Sequence, residues 1–194
     1  IETQAMKVNF SKLVQRKQHI VSTLTGGVKQ LLKKNKVTFI KGEATVTKDL
    51  EVKVNNQTYQ AKDIILATGS KPFIPPIEGL NDIKYETTDT FFDIETLPKQ
   101  LAIIGGGVIA TELASSMADL GVEITIIEVN EDILLTEIEE VRELLKDHLK
   151  NQSIRILTGA KISKVTTSKV ILDNHEDVSF DTLLVATGRQ PNIK

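Results

Sequence analysis

Near the middle of the chain, residues 103–112 read Ile103-Ile104-Gly105-Gly106-Gly107-Val108-Ile109-Ala110-Thr111-Glu112. This is the glycine pattern G-x-G-x-x-A, placed between an apolar run and a helix-forming run. Gly105 permits a tight turn, Gly107 lets a phosphate approach the backbone, and Ala110 keeps the helix close to the strand. The stretch therefore predicts a strand–turn–helix unit with a dinucleotide pyrophosphate at the helix N-terminus.

The surrounding sequence favours this site over a glycine turn that serves close packing alone. Leu101–Ile104 predicts the strand, Val108–Leu120 predicts the helix, and Gly121 predicts its C-cap. A second predicted strand, Glu123–Glu128, ends on an acidic residue. A carboxylate there accepts hydrogen bonds from ribose hydroxyls and repels a 2′-phosphate, so Glu128 favours NAD, although the alanine of the pattern also occurs in NADP sites. A merely solvated strand end is the alternative for Glu128.

The chain also carries one tripeptide twice. The run Ile65-Leu66-Ala67-Thr68-Gly69-Ser70-Lys71-Pro72 reappears as Leu184-Val185-Ala186-Thr187-Gly188-Arg189-Gln190-Pro191. Each Ala-Thr-Gly ends a short apolar run, and a nearby proline closes the turn that follows. The duplication indicates two related nucleotide-binding units in tandem.

Hydrophobic periodicity differs on the two sides of a proline-rich connector, Lys71–Gly79. Before it, a long helix over Thr3–Lys36 is followed by four short β-type runs, the first at Val37–Ile40, and by a buried strand at Ile64–Leu66. After it, strands and helices alternate, and a β-meander leads to the closing strand Leu183–Ala186. The pattern predicts an α/β fold with a Rossmann-like parallel sheet, ordered βαβαβ plus meander.

The second half contains a further amphipathic helix, Glu137–Lys150. We expect its inner face to carry five apolar side chains, namely Ile138, Val141, Leu144, Leu145 and Leu149. The change of pattern at the connector predicts a domain boundary there. We therefore expect one domain over residues 1–73 and another over residues 74–194.

The composition excludes several classes of protein. The 194 residues carry a net charge of −2, which argues against a nucleic-acid or membrane-surface role. The chain has no cysteine, no run of 18 apolar residues and no secretory signal, so we expect a cytoplasmic protein without a thiolate metal site. The three histidines lack metal-ligand spacing, so we expect no metal. The start at Ile1 is consistent with an excised piece of a longer protein.

Two charged residues near the motifs allow two interpretations each. Glu112, on the first turn of the predicted helix, stabilises the helix N-terminus through its dipole or forms an ion pair with a neighbouring domain. Arg189, after the second Ala-Thr-Gly, anchors a cofactor phosphate or belongs to the turn alone.

The motifs together, in their order along the chain, resemble those of a known family. They comprise Lys41-Gly42-Glu43-Ala44, the two Ala-Thr-Gly copies, the glycine stretch and Ile126-Ile127-Glu128. With this set, the chain resembles the flavin-dependent pyridine nucleotide–disulfide oxidoreductases over essentially its whole length, and among them the dihydrolipoamide dehydrogenases. The resemblance implies that residues 1–73 are the C-terminal remnant of an FAD-binding domain and residues 74–194 an NAD-binding domain.

The resemblance also implies two sets of cofactor contacts, with no catalytic residue in the chain. FAD would contact Ala44, through its backbone, and Thr68, Gly69 and Ser70. The NAD pyrophosphate would contact the glycine stretch and helix start: Gly105, Gly106, Gly107, Val108, Ile109, Ala110, Thr111 and Glu112. Glu128 would hold the adenosine ribose, Ile162 the adenine end and Gly188 the nicotinamide side.

The implied parent enzyme oxidises a dihydrolipoyl dithiol through FAD, with NAD⁺ as hydride acceptor. It would be a homodimer docked to a 2-oxo acid dehydrogenase complex, with no nucleic-acid or membrane partner. The family's redox-active cysteine pair and C-terminal His–Glu pair are not in this sequence, so we expect the segment to bind NAD and part of FAD without catalysis of its own. The alternatives are another disulfide, mercuric or glutathione-type reductase of the superfamily, with NADPH as a possible donor, or a stand-alone dinucleotide-binding module.

Overall fold

The structure, a computed structural model, describes residues 8–193 of the chain. These residues form two compact units. One unit is Lys12–Thr68, and the other comprises residues 69–193 together with residues 8–11. The fold is of the mixed α/β class, as predicted, and its largest sheet is a parallel sheet of five strands in the larger unit.

The smaller unit consists of a long helix and a small antiparallel sheet. Its elements are α1 (Phe10–Lys34), which begins just before the unit, β1 (Thr45–Val46), β2 (Val52–Val54) and β3 (Gln57–Tyr59). The strands pair in the order β1-β2-β3, as a meander does. The predicted helix over Thr3–Lys36 is confirmed over Phe10–Lys34, while residues 3–7 lie outside the described residues. No helix within residues 8–193 is both long and apolar enough to cross a membrane.

Two predicted strands of this unit are not formed. Val37–Ile40 and Ile64–Leu66 lie in irregular structure, and Ile65, predicted to be buried, is 89% exposed. A buried parallel strand needs hydrogen-bonded neighbours and a covering layer on each face. No strand between residues 8 and 193 pairs with either segment, so the apolar sequence alone does not bury them.

The larger unit alternates strands and helices, as predicted, and ends in a meander and a closing strand. Its elements are β4 (Ser70–Pro72), β5 (Glu86–Thr87), β6 (Gln100–Ile104), α2 (Val108–Ala118), β7 (Glu123–Ile127), α3 (Glu139–Asn151), β8 (Arg155–Leu157), β9 (Ile162–Val165), β10 (Lys169–Leu172), β11 (Asp177–Ser179), β12 (Thr182–Val185) and β13 (Arg189–Pro191). Two 3₁₀ turns, at Leu80–Asp82 and Phe91–Asp93, lie between β4 and β6. The parallel sheet has the order β5-β12-β6-β7-β8, and β9, β10 and β11 form a separate antiparallel sheet.

The core of this unit lies on both faces of the parallel sheet. Along β6 the side chains alternate: Leu101 and Ile103 pack in one cluster, while Ala102 and Ile104 pack in the other. The first cluster includes the buried face of α2, and the second includes apolar side chains of the meander. Because β6 is covered on both faces, its sequence is a continuous apolar run.

The prediction that five apolar residues form a buried inner face of α3 is largely wrong. Of its five apolar residues only Leu149 is buried, whereas Ile138 precedes the helix and Leu144 is 72% exposed. The adjacent strand β8 is a three-residue edge strand, and the core cluster includes only Leu149 from this helix. Apolar periodicity predicts that α3 is a helix, but it does not predict how much of the helix face the rest of the protein covers.

The three α-helices of residues 8–193 end in the same type of C-terminal motif. The residue that closes each helix has a left-handed backbone: φ is +56° at Lys36, +85° at Gly121 and +62° at Ser153. In each case the next amide donates a hydrogen bond to the carbonyl oxygen five residues back, at 3.0–3.1 Å. This is the Schellman motif, in which glycine is the favoured residue. The predicted C-cap role of Gly121 is confirmed.

We expect Gly121→Ala to lower the free energy of unfolding by about 1 kcal/mol, because the left-handed backbone disfavours any Cβ. No atom outside the immediate chain neighbours lies within 4 Å of the added methyl group, so strain alone accounts for the loss. Ser153→Gly, at the matching position of α3, should raise this free energy by about 0.5 kcal/mol. Urea unfolding followed by circular dichroism measures both changes.

Gly26→Ala is the control for the same substitution without the left-handed backbone. Gly26 lies inside α1, and no other part of the protein is within 4 Å of its added methyl group. Alanine is favoured over glycine inside a helix, so the substitution should increase helix stability by about 1 kcal/mol. A destabilisation of equal size in both Gly→Ala variants would contradict the assignment.

Candidate dinucleotide site

A cleft of about 970 Å³ lies in the larger unit, at the carboxyl ends of its parallel strands. Its lining includes the residues that follow β6, β7 and β12: Gly105, Glu128 and Ala186. The chain proceeds from β6 to β7 on one side, and β12 pairs with β6 on the other side. The strand order therefore reverses at β6, and such a switch point is where open α/β sheets bind their ligands.

Position 105 requires glycine because of its backbone conformation and a close contact with the Ala186 carbonyl. Its φ is +111°, and a Cβ at this position would lie 2.4 Å from the carbonyl oxygen of Ala186. Its amide donates to the carbonyl oxygen of Ile127 at 2.8 Å. The turn after β6 is therefore fixed to the ends of both neighbouring strands, β7 and β12.

Gly106, which has no assigned role in the glycine pattern, is required by packing. A Cβ there would lie 2.6 Å from Cγ2 of Ile133 and 3.1 Å from Oε2 of Glu128. The Gly106 carbonyl oxygen accepts a hydrogen bond from the Leu134 amide at 2.8 Å. The loop after β7 thus closes over the middle glycine, a long-range contact that the local pattern does not encode.

Gly107 differs from the two glycines before it. Its backbone is extended (φ −79°, ψ −177°), and apart from its chain neighbours no protein atom lies within 4 Å of the position of a Cβ. It lines the cleft at the N-terminus of α2, which no side chain caps. Within residues 8–193 no acceptor contacts the amides of Gly107, Val108 and Ile109. The cleft therefore offers free N–H donors at the positive end of the helix dipole.

Glu128 is anchored in the loop, so its interpretation as a merely solvated strand end is wrong. It is 9% exposed, and its Oε2 accepts a hydrogen bond from the Gly106 amide at 2.6 Å. Its Oε1 accepts hydrogen bonds from the amide of Asn130 at 2.8 Å and from Nδ2 of Asn130 at 2.7 Å. A carboxylate has about four acceptor positions, so these three bonds leave about one for another donor.

The residues predicted for the pyrophosphate divide into two groups. Residues 105–109 line the cleft. Ala110 and Thr111 are buried behind it, where Ala110 packs in the core as its predicted packing role requires. Glu112 is exposed on α2 and does not line the cleft in the described part of the chain. Ile162 and Gly188 both line the cleft.

The residues predicted to contact FAD fall in both units. Ala44, just before β1, and Thr68 are exposed residues of the smaller unit. Gly69 and Ser70 belong to the larger unit, where the carbonyl oxygen of Gly69 accepts a hydrogen bond from the Asn192 amide at 3.0 Å. Ser70 is the first residue of β4 and is half-buried.

Arg189 binds protein groups. The segments that follow the two Ala-Thr-Gly copies pair as the antiparallel strands β4 and β13. Arg189 Nε and Nη2 donate to Oγ and the carbonyl oxygen of Ser70 at 2.8 and 2.7 Å, and Nη1 donates to Thr88 and Asp89 at 2.8 and 2.6 Å. The guanidinium therefore joins this ribbon to the turn after β5. Of its two interpretations, the structure favours a role within the fold over a phosphate anchor.

A charged cluster adjoins the cleft beside the loop after β7. Asp132 Oδ2 accepts hydrogen bonds from Nη1 of Arg142 at 2.8 Å and Nζ of Lys146 at 3.0 Å. Burial raises the pKa of the Asp132 carboxyl, but hydrogen bonds from Lys146 and the Ile133 amide, with the charges of both cations, outweigh it and lower this pKa below its ordinary value. Hydrogen bonds to Glu143 and Asp132 raise the pKa of Lys146. The sequence motifs do not predict this cluster, whose only local signal is the i, i+4 spacing of the two cations.

Comparison with known proteins decides the family. The family model described as pyridine nucleotide-disulphide oxidoreductase matches residues 2–194. The chain belongs to this family. The resemblance inferred from the motifs is therefore confirmed at the level of the family.

Several relatives of known name are similar over nearly the whole chain. A dihydrolipoyl dehydrogenase from Acholeplasma laidlawii is 37% identical, over 96% of this chain and 57% of the relative. Another from Chlamydia pneumoniae is 39% identical, over 99% of this chain and 43% of the relative. A mercuric reductase from Staphylococcus aureus is 31% identical, over 100% of this chain and 37% of the relative. The chain thus spans about half the length of the family members it matches, or less.

A solved structure has a fold similar to that of this chain. The HOCl-induced flavoprotein disulfide reductase RclA from Escherichia coli superimposes with a TM-score of 0.85 at 26% identity. The match covers 96% of this chain and 44% of that protein. The fold of this chain is therefore similar to part of a larger disulfide reductase.

We expect Asp132 to make stability depend on pH in the acid range. Its pKa in the folded protein is lowered, so its ionised form stabilises the fold above the ordinary aspartate pKa of about 3.9, and this contribution is lost as the pH falls through the folded-state pKa. The free energy of unfolding of Asp132→Asn should be below that of the wild type at pH 7, and the difference should shrink between about pH 5 and pH 2. Urea titrations across this range measure it.

Asp147→Asn is the matched control. Asp147 lies on α3, is 73% exposed and is 4.0 Å from Lys150. An exposed pair of this kind contributes little, so this variant should follow the wild type at every pH. A difference for Asp132→Asn that stays constant from pH 7 to pH 2 would contradict the assignment.

Proposed function

We propose that the cleft binds NAD and that the chain is part of an FAD-dependent dihydrolipoamide dehydrogenase. The observation that carries the proposal is the open space at Gly107 beside free amides of the α2 N-terminus. Gly105 and Gly106 are explained by the fold, whereas Gly107 has no such explanation. A pyrophosphate that approaches the Gly107 backbone accounts for both the missing side chain and the unpaired donors.

The residues present fit a dinucleotide along the cleft. Residues 105–109 would hold the pyrophosphate, and the remaining acceptor position of Glu128 would take a ribose hydroxyl. Ile162 and Gly188, which line the same cleft, would contact the adenine and nicotinamide ends. Ala110, Thr111 and Glu112 would act indirectly, through the packing and charge of α2.

The preference for NAD over NADP rests on charge. Glu128 is held at the end of β7 by three hydrogen bonds, so it cannot readily move away from a 2′-phosphate. Two charges about 4 Å apart repel each other by roughly 1–4 kcal/mol at effective dielectric constants of 80 to 20. A neutral ribose hydroxyl does not incur this cost.

In the same proposal, residues 1–73 are the remnant of an FAD-binding domain and residues 74–194 the NAD-binding domain. Ala44, Thr68, Gly69 and Ser70 would contribute to the FAD side. FAD, when bound in the parent enzyme, supplies the electron transfer between the dithiol and the nicotinamide. The sequence has no cysteine, so these residues cannot provide a redox-active thiol pair. The chain would therefore position NAD without catalysing dithiol oxidation itself.

For the parent protein we propose a cytoplasmic homodimer that serves a 2-oxo acid dehydrogenase complex. The support is the similarity to the dihydrolipoyl dehydrogenases from Acholeplasma laidlawii and Chlamydia pneumoniae. A second candidate is a disulfide, mercuric or glutathione-type reductase of the same superfamily, with NADPH as the alternative donor. The observation in its favour is the 31% identity to a mercuric reductase.

Substitution of Gly107 by alanine tests the proposed site. Calorimetric titration of the wild-type chain should show NADH binding, and Gly107→Ala should weaken it by about tenfold or more, because its methyl group occupies the space for the pyrophosphate. The free energy of unfolding should change little, since the methyl group contacts only its chain neighbours and the backbone is extended.

Gly121→Ala is the control for this experiment, because it makes the same substitution outside the cleft lining. It should lower stability and leave the dissociation constant of NADH unchanged. Equal NADH affinity for Gly107→Ala and the wild type would overturn the proposed pyrophosphate site. Turnover of a dithiol with NAD⁺ by the chain alone would overturn its non-catalytic role.

A second substitution tests the preference for NAD. We expect Glu128→Gln to raise the affinity for NADPH relative to NADH by about tenfold, because it removes the negative charge near the ribose. The NADPH-to-NADH affinity ratio is the informative quantity, because a loosened glycine loop would weaken the binding of both dinucleotides together. Asn130→Ala is the matched control, because it removes a hydrogen bond to Glu128 and keeps the charge. An unchanged NADPH-to-NADH affinity ratio in Glu128→Gln would contradict the argument from charge. If the wild type also binds NADPH more tightly than NADH, the second candidate reductase is favoured.

A further inference from the structure

The connector that follows β4 forms one wall of the cleft. Its alternate residues Phe73, Pro75 and Ile77 line the cleft, while Ile74 packs against the core cluster that includes the meander. Pro75 and Ile77 are half-buried, whereas Phe73 is 44% exposed. Among the described residues that line the cleft, Phe73 is the one aromatic residue. The cleft therefore presents a single aromatic ring to a ligand.

Hydrogen bonds hold the Phe73 backbone against the second Ala-Thr-Gly copy. Its amide donates to the carbonyl oxygen of Gly188 at 2.9 Å, and its carbonyl oxygen accepts a hydrogen bond from Oγ1 of Thr187 at 2.8 Å. Pro72, the residue before it, pairs with Arg189 across β4 and β13. The backbone of Phe73 is thus fixed in the cleft wall, and its side-chain torsions remain to adjust to a ligand.

Gly188 leaves an open space at this end of the cleft. Apart from its chain neighbours, no described atom of the protein lies within 4 Å of the position of a Cβ there. Its φ of +108° favours glycine, but no packing contact requires the space to stay empty. Because a hydrogen bond joins Gly188 to Phe73, the open space and the exposed ring belong to the same end of the cleft.

The other end of the connector reaches β9. There the carbonyl oxygen of Glu78 accepts a hydrogen bond from the Val165 amide at 2.8 Å. Ile162, proposed for the adenine end, is the first residue of β9. The connector therefore runs from the proposed nicotinamide end of the cleft, at Phe73, towards the proposed adenine end.

A flat ring suits an exposed aromatic side chain beside an open space. Planar heterocycles stack on aromatic side chains, and the contact removes apolar surface from water. Of the two rings of NAD, the one proposed to lie near Gly188 is the nicotinamide. The hydrogen bonds that tie Phe73 to Gly188 and Thr187 therefore favour this ring as its partner.

We propose that Phe73 is a further binding residue, whose side chain packs against the nicotinamide ring of a dinucleotide in the space at Gly188. The inference rests on the proposed function, because it requires NAD in this cleft. The nicotinamide ring is positively charged in NAD⁺ and neutral in NADH. Because the face of an aromatic side chain attracts a cation, Phe73 should contribute more to the binding of NAD⁺ than to that of NADH.

Phe73→Leu is the principal test, with NAD⁺, NADH and ADP-ribose titrated separately into the full chain by calorimetry. ADP-ribose has the adenosine and the pyrophosphate of NAD but no nicotinamide. The substitution should weaken NAD⁺ binding by about fivefold and NADH binding by about twofold, and leave the dissociation constant of ADP-ribose unchanged. Phe73→Tyr keeps the aromatic face and should retain the affinity for NAD⁺.

Phe92→Leu is the matched control. Phe92 is 56% exposed and does not line the cleft in the described part of the chain, and its ring contacts that of Phe91 edge to face. This variant should bind all three ligands as the wild type does.

A second measurement uses the wild type itself, so it does not depend on the folding of a variant. With NAD⁺ bound, nuclear Overhauser effects should connect the nicotinamide ring protons to phenylalanine ring protons. They should persist in Phe92→Leu and disappear in Phe73→Leu. Their absence from the wild type with bound NAD⁺ would overturn the inference.

The outcomes separate the inference from the proposed function. Failure of the wild type to bind NAD⁺, NADH and ADP-ribose would overturn the proposed function. If the wild type binds them and Phe73→Leu binds NAD⁺ equally well, the inference alone is overturned. An equal loss for all three ligands would also overturn it, because Phe73 would then shape the cleft as a whole without a contact to the nicotinamide.

Discussion

The hydrogen bond from the Gly106 amide to Glu128 fixes the geometry on which the cleft depends. At 2.6 Å, with a charged acceptor and little solvent, it is of the stronger class of protein hydrogen bonds. It joins the loop after β6 to the end of β7, and the close approach of Gly105 to Ala186 joins the same loop to β12. Three strand ends therefore meet at one place, and the cleft is the space that they leave open.

The three consecutive glycines have different physical roles because of this arrangement. Gly105 provides a left-handed backbone and close contact with a carbonyl, and Gly106 provides room for the Ile133 side chain. Gly107 provides space that no described part of the protein fills. Binding chemistry and fold stability are thus assigned to different residues of one short run, and substitutions can affect them separately.

Charge around the cleft is organised mainly by pairing. Arg189, Arg142 and Lys146 each bind carboxylates of the protein, and Glu128 is held by amides. Much of the charge near the cleft is therefore already paired, and the neutral donors of the α2 N-terminus remain open to an anion.

The sequence by itself determined the α/β class, the order of strands and helices in the larger unit, the glycine turn and the C-cap at Gly121. These features depend on hydrophobic periodicity and on the backbone preferences of residues that are close together in the sequence. It could not determine what covers an apolar face, which is why Ile64–Leu66 and the face of α3 were predicted to be buried. Only the tertiary structure brought Gly106 to Glu128 and Arg189 to Asp89, because those contacts join residues 22 and 100 positions apart. Partners so distant in sequence are set by the path of the whole chain.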